Sequence, residues 1–270
     1  MYGSKLNYES HFFISGVEGG SPPATELSGV KSLEISYQNS ANVTNPLGYK
    51  NGLTTVGGPS QQGVSFSRDL IYDDPILDFT GDNVMKGSFN YDNNTSYGFF
   101  SGYLTSYSVN CAVGTIPTVN ATFSVYDEMR SGINASGGQT TDIFIPSQGS
   151  ITATCDNTTS NRVIGFDYSL TSNKVPYYTI GSQDPVEVKH ISPIQYSATV
   201  QLEVDDVFME SGYSFFENGK DDRTVTFGIN GRDGTELQSL TIPNASLVGE
   251  NLTSSADGTL RLTLNYIGHQ

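Results

Sequence analysis

The chain has 270 residues, enough for one large domain or two small ones. It carries 13 Lys and Arg residues against 28 Asp and Glu residues, so its net charge is −15. A protein this acidic repels phosphates, which is evidence against a nucleic-acid-binding function. No segment approaches the roughly 18 consecutive apolar residues of a membrane-spanning helix, so we expect no membrane span.

Alternating apolar residues predict β-strands along most of the chain. Each run has one apolar and one polar face, as in a half-buried strand of an antiparallel sheet. Turn-forming dipeptides such as Asn51-Gly52 and Asn230-Gly231 separate the runs. We therefore predict an all-β protein of the sandwich or barrel type, without a substantial helix. The clearest runs are Leu33, Ile35 and Tyr37; Val119, Ala121, Phe123 and Val125; Ile164, Phe166, Tyr168 and Leu170; Tyr196, Ala198, Val200, Leu202 and Val204; and Leu260, Leu262, Leu264 and Tyr266.

The sequence contains no motif typical of catalysis, of a metal site or of a cofactor site. The histidines His11, His190 and His269 lack the spacing of metal ligands. Cys111 and Cys155 fall within alternating apolar runs, where a free cysteine packs as a small buried hydrophobic residue. We expect neither an enzyme nor a bound cofactor.

Adjacent acidic residues occur as Asp73-Asp74, Asp205-Asp206 and Asp221-Asp222. Glycoside hydrolysis needs two carboxyl groups facing one cleft, whereas neighbouring residues of a strand point to opposite faces. We interpret the pairs as residues that end strands and begin turns.

One phrase of the sequence recurs. Residues 64–74 read VSFSRDLIYDD, and residues 196–206, at an offset of 132, read YSATVQLEVDD. Three further segments match in the same order, which indicates a duplicated domain. Because the last offset is eight residues larger than the one before it, we expect an extra turn in the second copy, within LVGENLTSSADG (247–258). The matches are Tyr37 with Tyr168 at an offset of 131, 104–109 with 237–242 at 133, and 118–127 with 259–268 at 141.

The duplication predicts two tandem β-sandwich or barrel domains, residues 1–140 and 141–270. Between them, RSGINASGGQTTD (130–142) has the Gly- and Ser-rich composition of a linker. Arg68 departs from the pattern, because it takes an inward position where the alignment has Val200. We expect Arg68 at the rim of the core, where its stem can reach solvent, or at a contact with a partner subunit.

Both copies contain a strand that ends in Tyr, a loop with Pro and Gly, and a strand that ends in an acidic turn. The loops read NPLGY in the first copy and VPYYTIG in the second. This pattern resembles the tail-tube proteins of long-tailed bacteriophages, over nearly the whole chain. The resemblance implies a virion structural protein, made in the host cytoplasm, that assembles into stacked rings around a channel. Members with one tube domain form hexameric rings, so a chain with two domains would form a trimer that mimics a hexamer.

The resemblance also implies the partners. The first is the protein itself, and tape-measure and tail-terminator proteins are further candidates. DNA would pass through an acidic channel during ejection without specific binding. The charge of the chain agrees with this expectation, because cationic side chains on the channel wall would retain phosphates.

Two segments that follow acidic pairs, 73–94 and 205–223, are rich in large apolar residues. Exposed aromatic residues in a long loop often mark a contact surface, so we expect contacts within or between rings here. The alternative is that these side chains fold back over their own sandwich. The candidate residues are Ile76, Leu77, Phe79, Met85, Phe89, Phe208, Met209, Tyr213, Phe215 and Phe216.

Two other functions agree with the same sequence. One is another virion β protein, such as a head-decoration, baseplate or fibre module. The other is an extracellular adhesin or carbohydrate-binding module, which would use the Tyr-, Asn- and Thr-rich surface. The absence of Trp weakens the carbohydrate-binding alternative, because sugars would have to stack on Tyr alone.

Overall fold

The computed structural model describes ten parts of the chain, and the structural statements below concern these parts. They are residues 11–16, 25–44, 54–71, 74–90, 96–133, 146–155, 158–216, 223–231, 233–254 and 258–270; the side chains of 39–44, 54–57, 60–61, 146–150 and 192 are outside the description.

Nearly all the described secondary structure is β, which confirms the predicted fold class. The helical segments are a 3-10 helix, Pro75–Phe79, and α1, Asp206–Glu210. The strands are β1 (His11–Gly16), β2 (Thr25–Glu26), β3 (Val30–Thr44), β4 (Thr54–Asp69), β5 (Met85–Asn90), β6 (Ser96–Ala112), β7 (Thr118–Val125), β8 (Arg130–Ser131), β9 (Pro146–Cys155), β10 (Thr158–Ser160), β11 (Val163–Tyr177), β12 (Glu187–Glu203), β13 (Arg223–Gly231), β14 (Glu236–Thr253) and β15 (Arg261–His269).

The strands form one antiparallel sheet in which the two halves of the chain repeat one strand order. The first half runs β2-β1-β5-β6-β7-β4-β3, and the second runs β10-β9-β13-β14-β15-β12-β11. Counterpart strands thus occupy the same place in each path. The halves are joined where β11 pairs with β6, with Gly165–Thr171 opposite Ser106–Ala112.

Irregularities in the pairing also recur at corresponding places. A shift of register bends and twists a sheet locally, so its position is a structural marker. Shared strand order and shared shifts support an internal duplication. The division into two tandem domains stays a prediction, because the sheet and the buried apolar cluster continue from one half to the other. The shifts are Val30/Ser32 and Val163/Gly165, at an offset of 133; Met85/Gly87 and Arg223/Val225, at 138; and Leu104/Ser106 and Leu247/Gly249, at 143.

The strand pairing corrects details of the sequence alignment. Tyr37 has Leu170 as its counterpart, and Arg68 has Leu202. The segment 247–258, expected to be an extra turn, begins with the last part of β14, which pairs with β15 up to Thr253. The offset between counterpart residues has already reached 143 in β14, so the additional residues of the second half lie before that strand.

Each half packs two layers of sheet. β6 pairs with β5 along its first part and with β7 along its second part, and β14 does the same with β13 and β15. Aromatic rings meet across the layers: Phe12 and Phe66 lie 5.4 Å apart between ring centroids, and Phe166 and Phe227 lie 5.1 Å apart. The core of each half is therefore that of a β-sandwich.

Cys111 and Cys155 are buried, as predicted from the alternation, and neither forms a disulfide. The interpretation of the acidic pairs is confirmed for two residues. The carboxylate of Asp74 accepts a hydrogen bond from the N–H of Ile76 at the start of the 3-10 helix, and that of Asp205 accepts one from the N–H of Phe208 at the start of α1. Asp73, Asp221 and Asp222 lie outside the described residues.

In the described ranges, no cluster of three or more His, Cys, Asp or Glu side chains is arranged to hold a metal ion. The same ranges contain no helix with the length and apolar character needed to cross a membrane.

Replacing Phe227 with Ala tests the two-layer packing of the second half. Phe227 is fully buried and stacks on Phe166, so we expect the free energy of unfolding to fall by about 3 to 5 kcal/mol. Urea unfolding followed by circular dichroism measures the change. The matched control is Thr224→Ala, an exposed position on the same strand, where a loss of similar size would contradict the packing argument.

Candidate functional site

A polar face covers the central eight strands of the sheet, β3, β4, β7, β6, β11, β12, β15 and β14. Period-two alternation turns the apolar side chains of these strands into the core and leaves hydroxyl and amide groups on the other face. Neighbouring groups bond to one another: the Ser169 and Ser197 hydroxyl oxygens lie 2.7 Å apart, and the Thr199 hydroxyl donates to the Asn265 amide oxygen at 2.8 Å. One row of paired positions crosses all eight strands, Ser32, Ser67, Asn120, Ser108, Ser169, Ser197, Ile267 and Ser246.

At the margins of this polar face, cationic side chains lie close to carboxylates. Lys31 lies 2.5 Å from a carboxylate oxygen of Asp69. At the end of β12, Arg162 lies 3.6 Å from Glu203 and 3.1 Å from Asp205. The face therefore presents mostly neutral hydrogen-bonding groups, with the exposed carboxylate of Asp167 near its centre and with its marginal cations next to carboxylates.

The joint between the two halves is a strand pair with a buried apolar side. Tyr168 and Leu170 of β11 are 3% and 2% exposed, and Val109 of β6 is fully buried. The backbone groups of both strands are satisfied by the ladder, and the side chains continue the core across the joint.

Among the eight central strands, one open edge in the described part of the chain runs along β3 and another along the second part of β14. Outside the central strands, β2 and β10 end the strand order. Within the described residues β3 pairs with β4 alone, and Ser246–Thr253 pairs with β15 alone. Ile35 and Tyr37, the counterparts of the buried Tyr168 and Leu170, are 39% and 60% exposed. An open edge with exposed apolar residues is a template for pairing with another strand.

A buried polar cluster lies next to the joint. Arg68 donates a hydrogen bond to the Asp74 carboxylate at 3.1 Å, and both side chains are fully buried. The Tyr107 hydroxyl donates to the other Asp74 oxygen at 2.9 Å. The backbone N–H of Asp74 donates to the Gln238 side-chain oxygen at 2.8 Å, so the cluster links the first half to the second.

The expected position of Arg68 at the rim of the core or at a subunit contact is wrong. The guanidinium is buried inside the chain, where an adjacent carboxylate offsets part of the large cost of removing its charge from water. Burial, together with the neighbouring carboxylate of Asp74, holds the pKa of Tyr107 well above its ordinary value. Tyr107 therefore stays protonated and donates its hydroxyl to Asp74.

The hairpin formed by β11 and β12 is anchored on the first half through Lys174, whose side chain is almost fully buried. Its ammonium donates to the carbonyl of Gly81, lies 3.8 Å from Asp82 and stands 5.9 Å from the centre of the Tyr103 ring. Burial lowers the pKa of Lys174, while Asp82 acts in the opposite direction. The hairpin base is thus fixed by contacts of several kinds.

The ten residues predicted as contacts between subunits divide by exposure. Only Met209 and Phe216 are well exposed, at 55% and 62%. We expected these residues to lie in exposed contact loops, and for those that are buried this expectation is wrong. After β4 and after β12 the chain forms a short helical segment that packs on the sandwich. The contact role stays a prediction, and Met209 and Phe216 have the surface for it. The buried residues are Ile76, Phe79, Met85, Phe208 and Tyr213; Leu77, Phe89 and Phe215 are partly buried against the core.

Other exposed apolar residues were missed in the sequence. Tyr177, Ile180 and Val186 are exposed at the tip of the β11–β12 hairpin, and Ile35 and Tyr37 are exposed on the edge strand β3. The hairpin tip could have been found from its position in the turn-rich segment TIGSQDP, which interrupts two polar strand ends. The edge residues could not, because their alternation is that of an ordinary half-buried strand.

No protein-family model matches the chain, and no curated protein matches it. The function must therefore be inferred from the geometry of the chain itself.

Replacing Arg68 with Leu, the residue at the counterpart position 202, removes the ion-pair partner of a buried carboxylate. We expect the free energy of unfolding to fall by about 3 to 5 kcal/mol, because the fully buried Asp74 carboxyl would lose its cationic partner. Denaturant unfolding measures the effect.

The control is the double variant Arg68→Leu, Asp74→Asn, in which the second change also removes the carboxyl group. We expect it to be more stable than Arg68→Leu alone. If the single variant were as stable as the unmodified protein, the pair would contribute nothing to the fold.

Proposed function

We propose that the protein is a structural subunit of a bacteriophage tail tube. Copies join edge to edge into a closed ring, and rings stack into a channel through which DNA leaves the virion. The observation that carries this proposal is the joint between β6 and β11. The chain contains one such joint internally, and among its described residues the two strands of a second joint, β3 and β14, are open edges on opposite sides of the sheet.

A contact between two different edges of the same protein is head-to-tail. Such contacts generate a closed ring when the rotation between copies divides a full turn, and a helical filament when it does not. A sheet whose edges all pair by closing on itself has no edge left to aggregate. Closure thus explains why β3, with its exposed Ile35 and Tyr37, can persist as an edge strand.

The resemblance to tail-tube proteins sets the expected number of copies at three. Three copies contribute eight central strands each, and 24 strands spaced about 4.8 Å apart give a circumference of roughly 115 Å and a diameter near 37 Å. Tilting the strands makes the ring wider. A bore of this size admits a DNA duplex.

The polar face supports the placement of the lumen. In the proposed ring the apolar side of the sheet is covered by the second layer of each half, so the polar face is the one that lines the channel. Its hydroxyl and amide groups present little positive charge to hold phosphates. Tape-measure and terminator proteins of the tail remain candidate partners on this proposal.

Stacking needs contacts at both ends of the ring. Val186 immediately precedes β12, and α1 follows β12 after two residues, so the hairpin tip and α1 lie at opposite ends of that strand. Both ends expose apolar side chains, Ile180 and Val186 at one and Val207 and Met209 at the other. The hairpin tip of one ring therefore meets α1 of the next.

A groove favours a carbohydrate-binding module as the second candidate. Tyr37, Tyr126 and Tyr178 line it together with Gln38. Aromatic rings beside an amide group suit a sugar, which stacks on a ring and hydrogen-bonds to the amide. Binding to a sugar array without any assembly would favour this function.

Replacing Tyr37 with Asp places a charge on the open edge of β3, where an apolar ring is expected to be buried in the ring joint. We expect the variant to remain folded and monomeric, while the unmodified protein forms rings. Sedimentation velocity and negative-stain microscopy measure the change. Val113→Asp, at an exposed turn away from both edges, is the control and should still form rings. A persistent monomer for the unmodified protein would sink the proposal, provided that tail extracts or an initiator complex also fail to trigger its assembly.

Replacing Ile180 and Met209 together with Asp places like charges at the proposed contact between rings. We expect single rings to form normally and tubes to be lost, because the charges repel across the stacking contact only. Electron microscopy of assembled samples distinguishes rings from tubes. The control Ile180→Leu, Met209→Leu keeps the apolar character, and tubes of normal length in the Asp variant would refute this contact.

A further inference from the structure

We infer that β3 of one copy adds to β14 of the next as an antiparallel pair in one fixed register, with Ile35 opposite Leu252. This inference rests on the proposed function, because it specifies the joint that closes the ring.

The register follows from the joint that the chain already contains. In that joint Tyr168 of β11 lies opposite Val109 of β6. The shared register shifts place the counterpart of each β11 residue 133 positions earlier, in β3, and the counterpart of each β6 residue 143 positions later, in β14. Tyr168 opposite Val109 therefore becomes Ile35 opposite Leu252.

The same transfer assigns the neighbouring pairs. Ser169 opposite Ser108 becomes Ser36 opposite Asn251, on the polar face. Glu34 lies opposite Thr253, so no like charges meet across the joint. A pair of polar residues thus continues the polar face from one copy to the next.

The exposure of the edge side chains is a second line of evidence for this joint. Tyr168 and Leu170 lie on a strand with neighbours on both sides and are 3% and 2% exposed, whereas their counterparts Ile35 and Tyr37 lie on an edge strand and are 39% and 60% exposed. On the other edge Leu252 is half-buried, whereas its counterpart Val109 is fully buried. The β3 edge thus exposes apolar side chains at positions that the internal joint buries, and the β14 edge has Leu252 half-buried beside Glu250, the counterpart of the buried Tyr107.

Phe216 gains a place in this joint. Its backbone N–H donates to the Glu250 carboxylate at 2.9 Å, next to the open edge of β14. Glu250 is the residue opposite Tyr37 in the transferred register, so the Tyr37 ring of the neighbouring copy lies beside Glu250 and the Phe216 backbone that bonds to it. Aromatic rings are strong anchors at the centre of an interface.

The occupant of each edge is a second copy because the two edges are complementary and each chain has both. Pairing of β3 with β14 leaves a new β3 and a new β14 at the ends of every open chain of copies, until the last pair closes the ring.

The experiment uses the double variant Ser36→Cys, Asn251→Cys in the full-length chain, oxidised mildly after assembly. Directly opposite residues have Cβ atoms close enough for a disulfide, whereas residues displaced by two positions do not. We expect cross-linked species containing several chains, ending at the closed ring, on a non-reducing gel. Peptide mapping should place the bond between residues 36 and 251.

Two matched variants control the result. Ser108→Cys, Ser169→Cys occupies the same relative positions in the internal joint and should form a bond within one chain. Ser36→Cys, Thr253→Cys shifts the register by two residues and should cross-link about tenfold less.

The outcomes separate the inference from the proposed function. Rings seen by microscopy with no excess of the 36–251 bond over the 36–253 bond would overturn the register and leave the ring intact. A 36–251 bond formed within a single chain would also overturn it. If the unoxidised protein forms neither rings nor tubes under any assembly condition, the proposed function fails and this joint fails with it.

Discussion

An edge strand of a β-sheet has backbone N–H and C=O groups on one side without a strand to bond to, and this constraint governs the molecule. The chain meets it once internally, where β11 lies on β6 and the apolar side chains of both strands become buried. In the described part of the chain, β3 and the end of β14 also have one side without a pairing strand. Because β11 pairs with β6, the comparison of the halves indicates that β3 needs a pairing strand on its outer side.

The two halves have diverged although they keep the same strand order. The first half buries Arg68 with Asp74, and the Asp74 backbone bonds to Gln238 of the second half. The counterpart of Arg68 is Leu202, which packs as an ordinary core residue. In the proposed ring, the internal joint and the joint between copies would alternate with similar backbone pairing and different surroundings. The ion pair itself lies within the first half, and the bond from the Asp74 N–H to Gln238 is the contact that another arrangement of the halves would break.

The sequence predicted features that depend on local periodicity and local hydrogen bonding. Period-two alternation located the strands and the buried Cys111, and short acidic side chains marked the caps at Asp74 and Asp205. The predictions from sequence failed for features that depend on residues distant along the chain. The burial of Arg68 depends on a turn that brings back a carboxylate from six residues later, and register depends on shifts that change the phase without changing the composition.

The candidate site was only partly accessible from sequence for a related reason. Apolar residues after an acidic turn indicate either an exposed loop that contacts a partner or a segment that packs on the core of its own chain. Most of the candidate residues in 76–89 and 208–215 pack on the core. The exposed apolar residues of β3 carry no local sign of their exposure, because a strand does not encode whether a neighbour lies beside it. The comparison of one half with the other shows that β3 has no pairing strand at the place where β11 has β6, within the described residues.

The chemistry of the polar face changes the role of the acidic charge. The sequence suggested a wall that repels DNA through an excess of carboxylates, yet the paired row across the eight strands consists almost entirely of hydroxyl and amide side chains. In a tube, salt screens the repulsion between a carboxylate on the wall and a phosphate beyond about 10 Å at 0.1 M ionic strength. The hydroxyl and amide groups of the row carry no positive charge that could hold a phosphate, and water can replace each hydrogen bond that they offer. Low retention of DNA in the proposed channel would then follow from the lack of fixed charge along the row, and the net charge of −15 would serve the solubility of the free subunit.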